Sequence, residues 1–178
     1  MIAQKILTIL RHAKAETGAP SQDDHERALT KRGQEAAQVI GRYLAGRALQ
    51  PDRVLCSTSA RTRETWEEVQ DVYPAAPTAD YTEKLYLASP NEILNLIAHT
   101  RESVSHLMVV GHNPGLHQLC LKLAHLGDEK ALEEMALKFP TCAFAVIAID
   151  TPWREIGRAH GRLAAFVTPK MLARMEEE

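Results

Sequence analysis

Three short apolar runs, each closed by polar or basic residues and each followed by helical spacing, limit what this chain can fold into. Ile6–Leu10, Arg53–Cys56 and His106–Val110 are too short for helices and are bounded by polar residues, so they read as buried strands. After the first run, Ala36, Ile40, Tyr43 and Leu44 fall on one helical face, with Thr30 as its N-cap. After the second, Thr65, Trp66, Val69 and Val72 share a stripe. Its cap lies among Ser57, Thr58 and Ser59, and Pro74 and Pro77 end the element. After the third, Asn113 suits an N-cap and Pro114 a first turn. Pro90–Ala98 predicts another helix, and Phe144–Ile149 and Arg162–Val167 two further strands. The alternation predicts an α/β fold, a largely parallel sheet with helices on both faces. In such folds ligands sit outside the carboxyl ends of the strands, near a switch in strand order.

Basic side chains stand at those strand ends. Arg11 and His12 close the first run, Arg61 falls in the first turn of the helix after the second, and His112 follows the third within Gly111-His112-Asn113. A charge at the edge of a core is costly unless it is paired or poised for a ligand. If the three strands are neighbours in one parallel sheet, the four side chains converge beside two helix N-termini, which add N–H donors and positive dipole ends. Such a pocket suits a compact multivalent anion, above all phosphate. Each residue also has an ordinary reading. Arg61 could pair with Glu64, Glu67 or Asp71 on its own helix, and Ser57, Thr58 and Ser59 could be no more than a cap. Repetition at three strand ends favours the common site.

Other chemistries fit less well. Cys56 and Arg61 are too close in sequence for a cysteine phosphatase loop, and there is no G-x-x-x-x-G-K-[ST] loop or H-E-x-x-H pair. His117 and His125 are expected on helix surfaces, Trp66 and Trp153 in packing, and no metal or other cofactor is expected. A net charge of −2 gives no footprint for nucleic acid or a polybasic membrane face. No apolar run approaches the roughly 20 residues of a membrane span, and the N-terminal segment lacks the basic start of a signal peptide. Three scattered cysteines (Cys56, Cys120 and Cys142) fit a reducing cytoplasm. With no linker or repeat, residues 1–178 are expected to form one domain, with only the acidic tail Glu176–Glu178 fraying.

The segments "LRHAKAE", "STSARTRET" and "GHNPGL" together resemble the histidine phosphatase superfamily of phosphoglycerate mutases and acid phosphatases. "DHERALTKRG", the short chain and "RHA" in place of the commoner "RHG" are most similar to its SixA-type phosphohistidine phosphatase branch. The resemblance implies a phosphoglycerate mutase-like three-layer α/β sandwich with a mixed, mostly parallel sheet. It also implies that His12 is the nucleophile, forming a phosphohistidine intermediate that water hydrolyses, with one ring nitrogen fixed by a backbone carbonyl. Arg11, Arg61 and His112 would hold the non-bridging oxygens. Asn113 is read as a cap rather than a ligand.

Many members place a general acid between the second arginine and the second histidine. The candidates here are Glu83 and Glu92, and Glu92 also reads as an ordinary helix-start carboxylate. The lack of a clear acid leans towards phosphohistidine, because a protonated imidazole leaves readily. The implied substrate is then a phosphorylated protein, such as a histidine phosphotransfer domain. The alternatives are a small phosphomonoester, a non-catalytic phosphate-binding module and, least, a mutase.

Overall fold

The computed structural model describes residues 4–176. Its scaffold is a seven-stranded sheet in the order β3-β2-β4-β1-β6-β7-β5. The strands are β1 (Lys5–Arg11), β2 (Arg53–Ser57), β3 (Ala79–Thr82), β4 (His106–Gly111), β5 (Ala124–Gly127), β6 (Phe144–Ile149) and β7 (Gly161–Val167). All neighbouring pairs are parallel except the two made by β6, which runs against β1 and β7. The helices are α1 (Lys31–Gly46), α2 (Ala60–Val72), α3 (Pro90–Ala98), α4 (Gly115–Leu123), α5 (Glu129–Leu137) and α6 (Pro169–Glu176).

The apolar strands are continuous because the sheet is covered on both faces. Along β1, Leu7 and Ile9 join one core cluster with residues of α3 and α4, while Leu10 joins the opposite one with residues of α1 and α2. Leu107 and Val109 against Met108 and Val110 repeat this division on β4. The result is the three-layer, mostly parallel sandwich expected. Trp153 and Trp66, each 0% exposed, anchor one cluster apiece. Their indole N–H groups donate to the carbonyls of Val104 and Pro77.

Local chemistry fixes the element starts. Thr30 accepts from the Gly33 N–H at 3.0 Å and caps α1, while Ser89 and Glu92 form a capping box on α3. Gly33 has no alternative, since a Cβ there would lie 2.1 Å from the Lys14 carbonyl oxygen. The α1 face is turned slightly from the expected one: Ala37, Ile40, Gly41 and Leu44 are buried, and Ala36 and Tyr43 only half-buried.

Several expectations fail. Asn113 does not cap α4: Pro114 occupies that position after a cis Asn113-Pro114 bond, and the Asn113 amide donates instead to the Phe139 carbonyl at 2.8 Å. His125 sits on β5 rather than on a helix surface, whereas His117 is on α4 with its Nε2 at 2.8 Å from the Met135 carbonyl. Strands β3 and β5 and helix α5 were not foreseen. Glu176 ends α6, and Glu177 and Glu178 lie outside the described residues. No helix among the described residues is long and apolar enough to cross a membrane.

Candidate active site

β2, β4 and β1 are adjacent and parallel, so their carboxyl ends open on one side of the sheet. Arg11 pairs in register with Gly111, and the His12 N–H donates to the Gly111 carbonyl at 3.1 Å. His12 and His112 therefore emerge side by side, with ring centroids 5.4 Å apart. The chain leaves β1 towards α1 on one face and β4 towards α4 on the other, which makes their junction the switch point of the sheet. Arg61, the second residue of α2, completes the group. A cavity of about 420 Å³ is lined by Arg11, His12, Arg61 and His112 together. The four expected residues are thus one constellation.

The His12 ring is held by its own backbone. Nδ1–H donates to the Ala13 carbonyl at 2.7 Å, which leaves Nε2 with the free lone pair. Ala13 N–H in turn donates to Thr65 Oγ1 at 2.9 Å, and that hydroxyl donates to the Arg61 carbonyl at 2.6 Å, tying the β1 terminus to the first turn of α2. His12 is 8% exposed, and burial, then the Arg11, Arg61 and Arg27 charges, push its pKa down to about 4 against the support of the Ala13 carbonyl. His112 is 3% exposed, and burial followed by His12 and Arg61 pushes it down to about 3. Both rings are neutral at pH 7. A neutral imidazole with a free lone pair can act as a nucleophile.

His112 Nε2 lies 2.8 Å from Ser57 Oγ. When that hydroxyl donates, His112 carries its proton on Nδ1. His112 Nδ1, Arg11 Nε and Arg61 Nε are all buried without a partner. Three unsatisfied N–H positions on residues lining one cavity are what an oxyanion site requires. Arg11 keeps its guanidinium in place by donating from Nη1 to the Phe139 carbonyl at 3.0 Å.

Arg61 does not pair with an acid on its own helix. It donates from Nη1 to the Asp24 backbone oxygen at 2.8 Å and from Nη2 to Asp24 Oδ2 at 3.1 Å. Tyr86 O–H donates to the same oxygen at 2.5 Å, and Arg27 Nε to Asp24 Oδ1 at 2.9 Å. The Tyr86 hydrogen bond foremost, then the Arg61 charge, hold Asp24 down to about 2 against a partial desolvation cost, so it is a carboxylate at neutral pH.

Asp24, Tyr86 and Ser57 were not identified from sequence. Asp24 lies in a run of polar residues that reads as an ordinary loop, and Ser57 reads as one of three candidate caps. The cap position is Ser59, whose hydroxyl instead meets Thr62 Oγ1. Glu83 is exposed on a short turn after β3 and does not line the cavity, and Glu92 is engaged in the α3 capping box. Among the described residues, no group of three or more His, Cys, Asp or Glu side chains is placed to hold a metal ion.

Residues 7–85, which carry β1, Arg11, His12 and Arg61, match the model of the histidine phosphatase superfamily (branch 1). Over 163 residues the chain is 32% identical to an uncharacterized protein of Mycobacterium tuberculosis, covering 90% of this chain and 100% of that one. It is 28% identical over 144 residues to phosphohistidine phosphatase SixA of Escherichia coli, covering 80% of this chain and 84% of the other. The crystal structure of SixA from Agrobacterium tumefaciens superposes with a TM-score of 0.77 at 32% identity, over 93% of this chain and 98% of that one. The chain belongs to the histidine phosphatase superfamily. Within it the chain falls in the SixA-type branch, with the phosphoglycerate mutase-like fold and a phosphatase site.

Proposed function

We propose that this protein hydrolyses phosphohistidine carried on another protein, through a phosphohistidine of its own at His12. His12 Nε2 attacks phosphorus in line as the P–N bond to the substrate imidazole breaks, and the departing imidazole takes its proton from solvent. Arg11, Arg61 and His112 hold the non-bridging oxygens and meet the charge that builds on them. Water then attacks the phosphoryl group on His12, the P–N bond to Nε2 breaks, and phosphate leaves. Asp24, as a carboxylate, accepts a hydrogen bond from that water and orients it, and the water's protons leave with the phosphate.

The observation that carries the reading is the His12 ring, fixed through Nδ1, in one cavity with Arg11, Arg61 and His112, each of which has a buried side-chain nitrogen without a partner. The substrate class follows from Asp24. Among the described residues it is the one carboxylate that lines the cavity, and it is held ionised by Tyr86, Arg61 and Arg27. An alkoxide leaving group needs a proton from an acid in the site, which an ionised Asp24 does not supply, whereas the phosphohistidine ring takes its proton from solvent and leaves as neutral imidazole. Glu83, exposed and outside the cavity, is not assigned the role of acid. A histidine phosphotransfer domain is the proposed partner. Three buried thiols, Cys56, Cys120 and Cys142, suit a cytoplasmic setting for residues 1–178 acting as one domain.

The test is to mix the protein with radiolabelled phosphohistidine protein in EDTA, quench, and map the label. Acid-labile, base-stable phosphate on His12, absent from His12→Ala, is expected together with turnover. Turnover without any label on His12 would refute the covalent route, and loss of activity in EDTA would refute metal independence.

A further inference from the structure

Beside the catalytic cavity lies a second one of about 430 Å³, and Lys14 and Thr141 line both. Its charged lining residues are Lys14, Arg32 and Lys170, and among the described residues no carboxylate contributes. All three side chains are exposed, and none forms an ion pair among the described residues. The chain as a whole has more acidic residues (23) than Lys and Arg (21), so this concentration of positive charge is local.

Helix electrostatics make the placement more telling. Arg32 is the second residue of α1 and Lys170 the second of α6, and neither first turn contains an acidic residue. The macrodipole favours carboxylates at helix N-termini and disfavours cations there. Two helices therefore carry the unfavourable sign in their first turns, both facing one cavity that adjoins the catalytic one. An anionic ligand reverses that cost. At the mouth of the catalytic cavity, Leu87 is 56% exposed with φ of 50°. An exposed apolar side chain on the lining of the catalytic cavity is a feature that a protein surface, rather than a small polyanion, can use.

We propose that the Lys14–Arg32–Lys170 cavity is a docking subsite for carboxylate side chains flanking the phosphorylated residue of the substrate protein. The proposal rests on the phosphoprotein reading above. Lys14, shared by both linings, is the point where the substrate crosses from the subsite to the reacting phosphate. Acidic flanks would raise the local concentration of substrate and align its phosphohistidine with His12, while a free phosphoramidate would not engage the subsite.

The test is the double charge reversal Arg32→Glu/Lys170→Glu. Both positions lie in first turns where a carboxylate is favoured, so the variant is expected to fold. Three substrates are compared: phosphoimidazole, a phosphohistidine peptide with Asp and Glu flanks, and the same peptide with Lys flanks. The variant should raise KM for the acidic peptide roughly tenfold, the size of two exposed pairs turned repulsive, with kcat kept. Phosphoimidazole turnover should not change, KM for the Lys-flanked peptide should fall, and the contrast should collapse near 1 M salt, where the Debye length is about 3 Å.

An unchanged KM for an acidic peptide that the wild type hydrolyses overturns the subsite alone. Wild-type turnover of phosphoimidazole but of neither peptide overturns the phosphoprotein reading, and the subsite with it. A loss on phosphoimidazole assigns Arg32 and Lys170 to the catalytic cavity itself and overturns docking. A small bisphosphate that responds where the acidic peptide does not gives the cavity to a metabolite and also overturns the proposal.

Discussion

Acid should unfold this protein through its active-site histidines. His12 is held down to about 4 and His112 to about 3, while an unfolded chain offers both imidazoles at about 6.5. Below about pH 6.5 the unfolded state binds protons that the folded state refuses, so stability falls as pH falls and the loss levels off only below the folded values. Integrated from about pH 6.5 to 4.5, each histidine costs about 2 kcal/mol, and the pair about 4 kcal/mol at most. The ceiling applies because part of the His112 shift comes from charge on His12. Against a typical domain stability of about 5–15 kcal/mol that is a large fraction. Urea unfolding followed by the fluorescence of the fully buried Trp66 and Trp153 measures it at both pH values. His112→Asn should have a pH dependence shallower than wild type by about 2 kcal/mol, and His12→Ala likewise. Other groups, including the buried His106, whose pKa burial also lowers, cancel in that difference. Equal losses in the wild type and both variants, within about 0.5 kcal/mol, would show that these rings are not held neutral by the fold and remove the electrostatic basis for a neutral nucleophile.

Three further outcomes follow from the same geometry. Arg61→Ala should lower kcat about 10²–10³-fold, like removal of one oxyanion donor, with the label on His12 still detectable at long times; an effect under threefold would mean that Arg61 serves Asp24 rather than phosphate. Asp24→Asn should bind inorganic phosphate more tightly by calorimetry, because the carboxylate no longer opposes the anion beside Arg61, yet turn over more slowly as dephosphorylation loses the carboxylate that orients its water; weaker phosphate binding would contradict this. Gly115→Ala would place a Cβ 1.9 Å from the Ala88 carbonyl oxygen, forcing apart the loop that carries Leu87 and the turn after His112. It should lower the unfolding free energy by about 2 kcal/mol or more and reduce kcat, and wild-type values in both assays would refute the contact.

The residues legible in the sequence are those whose positions are set by strand register. Once Ile6–Leu10 and His106–Val110 are parallel neighbours buried on both faces, the next residues along each must emerge together, and Arg11, His12 and His112 are those residues. Arg61 follows because α2 begins four residues beyond Cys56, which pairs with Val110 on β4. The missed strands have no comparable signal. β3 and β5 are four residues each, largely exposed, and are strands only through pairing with β2 and β7. Helix α5 buries only Met135, so its apolar stripe is too thin to stand out.

Asp24 shows why the second half of the site could not be read. It opens the segment "DHERALTKRG", whose resemblance to the SixA-type branch assigns it no role, and Asp23 and Glu26 beside it carry the same charge. Its role is created by partners 37 and 62 positions away, Arg61 and Tyr86, which reach it from other strand–helix units. In the proposed mechanism, strand ends and the first turn of α2 supply the groups that grip phosphate, where fixed backbone geometry is needed. A loop supplies the carboxylate, which must orient water without excluding the substrate anion. A loop-borne Asp24 can be shared among Tyr86, Arg27 and Arg61, so when phosphate takes the Arg61 guanidinium, two of its three side-chain partners still hold the carboxylate in place. That arrangement suits a carboxylate that orients water for the proposed second chemical step, since it stays in place while the phosphate occupies Arg61.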